Sequence, residues 1–386
     1  MAAFKKSTTK RTSRQPNVVK PVAYHAGRFP PRDLDWARLV PLIGPANAAL
    51  ARYDGLLAAI PNSSVLLAPL TTQEAVLSSR IEGTQATMGE VLEYEAGVNV
   101  DGVAPEKEAD IEEVLNYRRS LREAVELLEK LPLCGRLLKQ IHVTLLAGVR
   151  GHDKGRGQYR RIQNYIGIQG RPIEDARFVP ISPDQVADGM GRWEKYLHGN
   201  ESDVLVQLAI VHAEFESLHP FLDGNGRLGR MLIPLFLFER KLLHKPMFYL
   251  SEYLEARRQT YYDKLLAVSQ DDDWTGWCEF FLQALTEQAF KNDVKARRIL
   301  DLYQSRKEWI VNVTHSQHAM RALDFLFGNP IFSGSLFVEH AGMPVDAARR
   351  ILKACSVNGL LDVLRPGSGR RAAVYQFPDL LKITEG

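Results

Sequence analysis

Apolar residues recur at three- and four-residue spacing along most of the chain between about residue 32 and residue 300, with few β-branched runs. This period gathers the apolar side chains on one face of a helix, so the sequence predicts a mainly α-helical fold. Thr71 and Glu74 have the spacing of a capping box at a helix N-terminus. The predicted helices cover residues 33–48, 71–92, 106–131, 135–147, 183–198, 203–218 and 226–243.

Two stretches interrupt the helical pattern. Residues 165–179 combine Gly167, Gly170 and Pro172 with short β-prone pieces, which predicts a β-hairpin inside the helical region. A second break falls near residues 300–320. After it come three short predicted helices, at 321–327, 335–341 and 345–358, and then two predicted strands, at 360–364 and 372–377. This order of elements is typical of a winged helix.

The chain is therefore expected to have four parts. Residues 1–30 form a basic flexible arm, because residues 1–20 carry six positive charges and no acid. Residues 31–105 form an N-terminal helical region, 106–300 a helical domain and 310–386 a winged-helix domain. The arm either stays solvated or contacts a polyanion such as a nucleic acid.

The composition of the 386 residues, 45% hydrophobic and 25% charged with a net charge of +3, is that of an ordinary globular protein. It excludes a disordered chain, a collagen-like repeat and a coiled-coil rod. The longest apolar run, 231–238, is too short for a membrane span, so we expect a soluble cytoplasmic protein that does not bind membranes. Three widely separated cysteines suit a reducing compartment and are expected to be small buried hydrophobes: Cys134, Cys278 and Cys355.

The densest chemistry lies between Leu218 and Arg230, which read LHPFLDGNGRLGR. One predicted helix ends near Leu218 and another begins near Gly226. Gly224 and Gly226 allow the turn between them to expose backbone N–H groups. Exposed N–H groups at a helix N-terminus bind anions, and phosphate suits them best.

Four charged or titratable side chains accompany this turn. Arg227 and Arg230 lie in the first turns of the second helix, where cations oppose the helix dipole unless an anion binds among them. Asp223 is a suitable Mg²⁺ ligand beside phosphate oxygens. His219 can remove a proton near neutral pH. Together these residues predict phosphoryl-group chemistry on a nucleotide.

Residues 219–230 match the HxFx(D/E)GNGRxxR motif of the Fic (filamentation induced by cAMP) family of protein AMP-transferases, so the chain resembles that family over roughly residues 30–300. The resemblance implies a Fic-type helical bundle with a β-hairpin flap. It also implies an enzyme that uses ATP and Mg²⁺ to transfer AMP to a Ser, Thr or Tyr hydroxyl of a target protein. Relatives called Doc, which phosphorylate proteins, carry a lysine in place of Gly226, so glycine here favours nucleotidyl transfer.

The resemblance also assigns roles within the motif. His219 would deprotonate the target hydroxyl, Asp223 would hold the Mg²⁺ that bridges the α- and β-phosphates, and Phe221 would anchor the loop in the core. Arg227 and Arg230 would bind the β- and γ-phosphates. The full set implied for ATP binding is Glu82, Glu214, His219, Pro220, Phe221, Leu222, Asp223, Gly224, Asn225, Gly226, Arg227, Arg230 and Glu255, with Asn225 and the N–H groups of Gly224 and Gly226 around the α-phosphate.

Glu214 and Glu255 are the least specific members of that set. Glu214 precedes the motif on its helix, and Glu255 lies in the segment 250–258, which resembles the part of Fic proteins that closes over adenine. Each either lines the nucleotide pocket or is a plain acid on a helix surface. Because the adenine side is the weakest part of the resemblance, UTP and CTP stay open as alternatives to ATP.

Two further segments fit the resemblance. Ser78, Glu82 and Gly83 match the (S/T)xxxE(G/N) inhibitory helix, in which the glutamate pairs with the motif's second arginine, here Arg230, and spoils the γ-phosphate site. Residues 157–167 and 176–180 resemble the flap. In the flap, the residues expected to register the main chain of the target by strand addition are Phe178, Val179 and Pro180.

The C-terminal part leaves a choice between DNA contact and a dimerisation or scaffolding role. Six basic residues favour DNA contact, on a candidate recognition helix and a candidate wing: Arg349, Arg350, Lys353, Arg365, Arg370 and Arg371. For the whole chain, the leading hypothesis is an adenylyltransferase restrained by Glu82. Its candidate partners are a target protein, the protein itself as a target, and a second copy of the chain in a homodimer. The alternatives are an enzyme that removes AMP at the same site and a DNA-binding regulator that only senses nucleotide.

Overall fold

The computed structural model describes residues 20–60, 62–97, 104–149, 153–168, 170–369 and 371–385. Within these residues the fold is mainly α-helical, as the sequence predicts. The helices are α1 (Trp36–Ala59), α2 (Ser63–Leu66), α3 (Ala68–Ile81), α4 (Met88–Glu95), α5 (Pro105–Leu128), α6 (Gly135–Leu145), α7 (Val186–Leu197), α8 (Val204–Leu218), α9 (Asn225–Glu239), α10 (Ser251–Ala256), α11 (Arg258–Asp271), α12 (Trp274–Thr314), α13 (Ala319–Gly328), α14 (Gly334–His340), α15 (Val345–Val357) and α16 (Pro378–Glu385). The strands are β1 (Val22–Ala23), β2 (Phe178–Val179), β3 (Ile331–Ser333), β4 (Asp362–Arg365) and β5 (Val374–Gln376).

Helices α8 and α9 form the centre of the core. Every residue of α8 from Leu205 to Leu218 is buried, and so is every residue of α9 from Asn225 to Leu237. A helix that is buried on all sides lies inside a bundle, and α8 accordingly packs against α7, α9, α11 and α12. The loop that joins α8 to α9 is therefore anchored at both ends by helices that are buried in the core.

The helix predicted over residues 71–92 is two helices, α3 and α4. The break between them places Glu82 at the C-terminal cap of α3, and Gly83 follows with φ of +103°. The capping box predicted for Thr71 and Glu74 is wrong, because α3 begins earlier, at Ala68, and both residues lie inside it. The structure instead has a capping box at the start of α4, between Thr87 and Glu90.

The hairpin predicted over residues 165–179 is reduced to one antiparallel bridge, between Ile166 and Phe178. The other edge of β2 is paired in parallel with β1. The amide of Val22 donates to the carbonyl of Arg177 at 3.2 Å, and that of Tyr24 donates to Val179 at 2.9 Å. The N-terminal part of the chain thus adds a strand to this segment, which the sequence does not predict.

After α12, the C-terminal elements run α13, β3, α14, α15, β4 and β5, and the three strands form an antiparallel sheet in the order β3-β5-β4. Strand β3 and the final helix α16 are additions to the predicted three helices and two strands. Helices α13 and α16 pack against α3, and β3 packs against α4. This part of the chain is therefore in contact with the helix that carries Ser78 and ends at Glu82.

The predicted basic residues of this region differ in their surroundings. Arg349, Arg350 and Lys353 are exposed on α15. Arg365, by contrast, donates to a carboxylate oxygen of Glu93 at 2.6 Å, so it faces the N-terminal helical region. The prediction for Arg370 lies outside the described residues, and Arg371 is exposed at the start of the turn into β5.

Two expectations from composition concern the whole fold. In the part of the chain that the structure describes, no helix has both the length and the apolar character needed to cross a membrane. Cys134, Cys278 and Cys355 are all buried, and none of them forms a disulfide. The cysteines therefore behave as the small buried hydrophobes that the sequence predicts.

Candidate active site

The loop between α8 and α9 is shaped by two residues in the left-handed region. His219 ends α8 with φ of +46°, and Gly224 precedes α9 with φ of +75°. The buried ring of Phe221 stacks on the ring of His142, with 4.0 Å between the ring centroids, and so anchors the loop in the core. The first N–H groups of α9 consequently face the loop, which gives this helix an anion-binding N-terminus.

Asn225 holds this loop through both ends of its side-chain amide. Its Oδ1 accepts the N–H of Phe221 at 2.8 Å, and its Nδ2 donates to the carbonyl of Phe221 at 2.9 Å. The side chain is buried and both of its polar groups are used. In this arrangement the Asn225 side chain shapes the loop, and its contact with the α-phosphate stays a prediction.

His219 is poised as a proton acceptor. Its Nδ1 lies 3.3 Å from the carbonyl oxygen of Glu216, and because a carbonyl can only accept, Nδ1 carries the proton. Nε2 is then the basic nitrogen. Burial lowers the pKa of His219 below its usual value, so the imidazole is neutral at pH 7. A neutral ring with a free Nε2 is the state that a general base requires.

Asp223 is ionised and reachable from the loop. Burial opposes its ionisation, but the charges of Arg227 and Lys154 outweigh burial and hold the pKa of Asp223 below its usual value. Its Oδ2 accepts from Nζ of Lys154 at 3.0 Å, and its Oδ1 accepts from the N–H of Gly224 at 2.7 Å. A partly exposed carboxylate at this helix N-terminus fits a Mg²⁺ ion that also binds phosphate oxygens.

Arg227 is a buried cation with unused donors. Its Nη1 lies 3.6 Å from the carboxylate of Glu113, too far for a hydrogen bond, and its Nη2 contacts Asp223 at 3.4 Å. Nε and Nη1 are buried without a hydrogen-bond partner in the described residues. Buried donors without acceptors are costly, and an anion at this end of α9 would supply the missing acceptors.

The guanidinium of Arg230 is hydrogen-bonded to Ser78 of α3 and to Glu82, the C-terminal cap residue of that helix. Its Nε donates to Oγ of Ser78 at 2.9 Å, and its Nη2 donates to the carbonyl of Ser78 at 2.9 Å and to Oε1 of Glu82 at 2.7 Å. Burial opposes ionisation of Glu82, but the charge of Arg230 overcomes it, so the pKa of Glu82 lies below its usual value. A Cβ on Gly226 would overlap the Glu82 carboxylate, so glycine makes room for this contact.

A cavity of about 680 Å³ opens next to the loop. It lies between the flap segment, the C-terminal end of α8 and α11, and we call it the flap cavity. Its lining includes Phe178 of β2, Glu216 of α8 and Tyr262 of α11. Lys20 and Val22, at the start of the described chain, close one side. The flap cavity is large enough for a nucleoside.

Two family models match consecutive parts of this chain. The model described as Fic/DOC family N-terminal matches residues 40–126, and the model described as Fic/DOC family matches residues 132–237. Together they span the inhibitory segment, the flap segment and the whole motif loop. The chain belongs to the Fic/DOC family.

Named relatives and solved structures agree with this assignment. The chain is 28% identical over 211 residues to a probable protein adenylyltransferase of Aquifex aeolicus, a match that covers 52% of this chain and 58% of that protein. It is 28% identical over 162 residues to protein adenylyltransferase Fic of Drosophila grimshawi, covering 41% of this chain and 31% of that protein. The chain thus spans less than two thirds of either relative.

Two crystal structures share the fold. A Fic family protein of Desulfovibrio desulfuricans superposes with a TM-score of 0.56 at 20% identity, covering 90% of this chain and 98% of the other. A Fic domain-containing signalling protein of Bacteroides thetaiotaomicron superposes with a TM-score of 0.51 at 16% identity, covering 66% of this chain and 97% of the other. The Fic-type helical fold expected from the motif is confirmed.

The remaining members of the predicted Fic site are placed less favourably for a ligand. Glu214 is buried under the N-terminal segment, where its carboxylate accepts from the hydroxyl of Tyr24 at 2.6 Å and lies 2.8 Å from Nε2 of His25. Glu214 is therefore not an acid on a helix surface, whereas its place in the nucleotide pocket stays a prediction. Glu255 lies on α10, half-buried, and does not line the flap cavity.

Of the other predicted loop and flap residues, Pro220 is buried and its carbonyl accepts from the N–H of Arg160 at 2.9 Å, whereas Leu222 is half-buried. The expected docking edge at Phe178, Val179 and Pro180 is already paired. The outer side of β2 bonds to β1, and the carbonyl of Pro180 accepts from Gln163 at 3.1 Å.

Two residues that the sequence analysis does not single out hold the loop in place. Arg160 is buried, and its guanidinium donates to the carbonyls of His219 at 2.9 Å, Leu218 at 3.4 Å and Ile181. His142 accepts the N–H of Gly157 at Nδ1, 2.8 Å away, so its Nε2 donates to the carbonyl of Asp223 at 3.0 Å. Of these two residues, only Arg160 could have been noticed in the sequence, because it lies within residues 157–167, which resemble the flap.

Proposed function

We propose that this Fic protein transfers AMP from ATP to a hydroxyl group of a protein. The observation that carries the proposal is the motif loop, where a neutral His219, an ionised Asp223 and the unpaired donors of Arg227 converge on one helix N-terminus. The printed names of the two relatives, both called protein adenylyltransferases, support the same reaction. The activity of the whole protein and its target are part of this proposal.

In the proposed reaction, Nε2 of His219 takes the proton of the target hydroxyl. The hydroxyl oxygen forms a bond to the α-phosphorus of ATP, the bond from that phosphorus to the bridging oxygen breaks, and pyrophosphate leaves with the electron pair. The N–H groups at the start of α9 and the guanidinium of Arg227 stabilise the charge that develops on the phosphate oxygens. The hydroxyl groups of serine, threonine and tyrosine can each accept AMP in this reaction.

The residues present also fit Mg²⁺. Asp223 would hold the ion, and its second coordination partners would be phosphate oxygens, since no cluster of three or more potential ligand side chains occurs in the described ranges. When bound, the ion would neutralise phosphate charge. Lys154, which bonds to Asp223 in this structure, would then have to release one carboxylate oxygen.

We also propose that Glu82 inhibits this reaction. Its carboxylate occupies the guanidinium of Arg230, which the γ-phosphate of ATP would need. It also lies against Gly226 at the start of α9, so it adds a negative charge beside the anion site. Ser78 keeps Arg230 fixed while Glu82 is in place.

The structure suggests a different edge for target docking than the sequence does. Because β2 is already paired on both sides, we propose that an extended segment of the target lies along residues 164–168 instead. Tyr165, Ile166 and Ile168 are exposed there, with exposed fractions of 37%, 38% and 68%. Exposed apolar side chains beside the single bridge between Ile166 and Phe178 suit strand addition by a peptide.

The decisive experiment is intact-protein mass spectrometry after incubation with ATP and Mg²⁺, with and without cell lysate. It compares wild type, Glu82→Gly, and Glu82→Gly combined with His219→Ala. Glu129→Gly is the matched control, because Glu129 is also a C-terminal helix cap but is exposed and distant from the motif in sequence. We expect AMP adducts on the protein or on lysate proteins that rise in Glu82→Gly alone.

Three results would each contradict a different part of the proposal. Adducts that persist in the double variant would remove His219 from its role as the base. The absence of adducts in every sample would reject AMP transfer itself. Equal adduct levels in wild type, Glu82→Gly and Glu129→Gly would leave the transferase standing but reject Glu82 as its inhibitor.

A further inference from the structure

Glu216 is a buried acid next to the motif that no step of the proposed reaction uses. It lies on the last turn of α8, 9% exposed, and its side chain lines the flap cavity. Its Oε1 is buried without a hydrogen-bond partner in the described part of the chain. Burial raises the pKa of Glu216 to about 7, although the charge of Arg230 lowers it. The position is therefore costly and calls for a partner that donates hydrogen bonds.

The backbone is arranged to accept this carboxylate. It lies over Gly229 of α9, where any Cβ would overlap Oε1. Arg230, whose charge acts on Glu216, directs its hydrogen bonds to Ser78 and Glu82. Gly229 thus leaves room for the carboxylate on α9, but no donor within the described residues satisfies its Oε1.

A second buried glutamate shows what a satisfied site looks like. Glu74 on α3 also has its pKa raised to about 7 by burial, but it accepts from the hydroxyl of Ser251 at 2.6 Å and from the N–H of Ser251 at 3.1 Å. It does not line the flap cavity. Glu216 therefore differs from Glu74 in two respects: its Oε1 lacks a donor within the described residues, and the residue lines the flap cavity.

The size and chemistry of the flap cavity indicate which part of a ligand would reach Glu216. The cavity that Glu216 lines is large enough for a nucleoside. A ribose offers two neighbouring hydroxyl donors, which an unpartnered carboxylate oxygen requires, whereas an ionised phosphate offers only acceptors.

We propose that Glu216 binds the ribose hydroxyls of the nucleotide and makes the site selective for ribonucleotides over 2′-deoxyribonucleotides. This inference rests on the proposed function only in placing a nucleoside triphosphate in the flap cavity. Glu216 is thereby a specificity-determining residue, distinct from the motif residues that hold the phosphates.

The test is equilibrium binding of ATP and 2′-deoxy-ATP, measured by calorimetry with Mg²⁺ and without a target protein. The proteins compared are Glu82→Gly, the same variant with Glu216→Gln or Glu216→Ala, and the same variant with Glu74→Gln as the matched control. We expect Glu82→Gly to bind ATP at least about tenfold more tightly than 2′-deoxy-ATP, since a hydrogen bond to a buried charged group is lost. The control should keep this ratio.

In Glu216→Ala the two affinities should become equal, and in Glu216→Gln the ratio should fall without a change in thermal stability. Equal affinities for ATP and 2′-deoxy-ATP in Glu82→Gly, which keeps Glu216, would overturn the inference. A preference for ATP that survives in Glu216→Ala would overturn it as well. A parallel loss of both affinities with an unchanged ratio would also overturn it, because that is the result of a structural role. Binding without AMP adducts would instead count against the proposed reaction alone.

Discussion

Arg160 offers the sharpest test of how this site is held together. Its side chain is 3% exposed, and its hydrogen-bond partners are backbone carbonyls rather than carboxylates. Two of them, Leu218 and His219, end α8, where the helix dipole is negative and a cation is stabilising. Burial lowers the pKa of Arg160 to about 10, so the guanidinium remains charged at neutral pH. We predict that Arg160→Met weakens both the fold and the reaction.

The loss of stability follows from the carbonyls left behind. The bonds to His219 and Ile181 are the shortest, and each unsatisfied buried carbonyl costs about 1–3 kcal/mol. Part of that cost is offset because a charge no longer has to be buried, which leaves a net loss of about 2 kcal/mol. For a chain of 386 residues we expect Tm to fall by about 3 °C.

The loss of activity follows from the geometry of His219. With φ of +46°, this residue sits in a region that non-glycine residues occupy only at a cost, and Arg160 fixes its carbonyl there. Misplacement of the base by about 1 Å costs about a hundredfold in rate. The assay is the initial rate of AMP transfer in the Glu82→Gly background, with Arg161→Met, an exposed neighbour, as the control. Equal Tm and equal rate in the two variants would refute the reasoning.

Two further predictions concern the histidines of the site. Because burial lowers the pKa of His219, the base stays deprotonated at pH values where an ordinary histidine is charged. The transfer rate of Glu82→Gly should therefore fall on the acid side with a midpoint below pH 6.5. A midpoint at or above pH 6.5 would count against His219 as the base. His142→Phe should keep the stack on Phe221 but lose the hydrogen bonds to the backbone of Asp223 and Gly157. We expect about tenfold weaker Mg²⁺ affinity, measured as the Mg²⁺ concentration that gives half-maximal transfer. An unchanged Mg²⁺ affinity would contradict this role of His142.

The sequence predicts the motif loop well because its chemistry is local. The helix break around Gly224 depends on a short segment with strong residue preferences. The burial of Phe221 and the pairing of Glu82 with Arg230, which are 148 residues apart, are predicted only from the resemblance to the Fic motifs. Asn225 is the exception within the loop. An amide can bind a phosphate or tie a backbone turn, and only the structure shows that both of its polar groups are used by Phe221.

The N-terminal segment could not be predicted, because its contacts are distant in sequence. Two residues, Val22 and Ala23, form β1, and they give no strand signal of their own. Their partner strand lies more than 150 residues later, so the pairing depends on how the bundle brings the flap segment to α8 and α11. The same packing places His25 and Tyr24 on Glu214, which makes this acid part of the core.

Under the proposed inhibition, the structure also indicates which partner must move when ATP binds. Arg230 is 1% exposed and is fixed by two hydrogen bonds to Ser78, whereas Glu82 is 39% exposed and caps the end of α3, beside Gly83. A γ-phosphate and the Glu82 carboxylate are both anions that need the same guanidinium, so they cannot bind it together. Since Arg230 is held, Glu82 is the group that leaves. Release therefore requires the Glu82 side chain, at the C-terminal cap of α3, to turn away from Arg230 while Ser78 stays in place, and α3 is also the helix against which α13 and α16 pack.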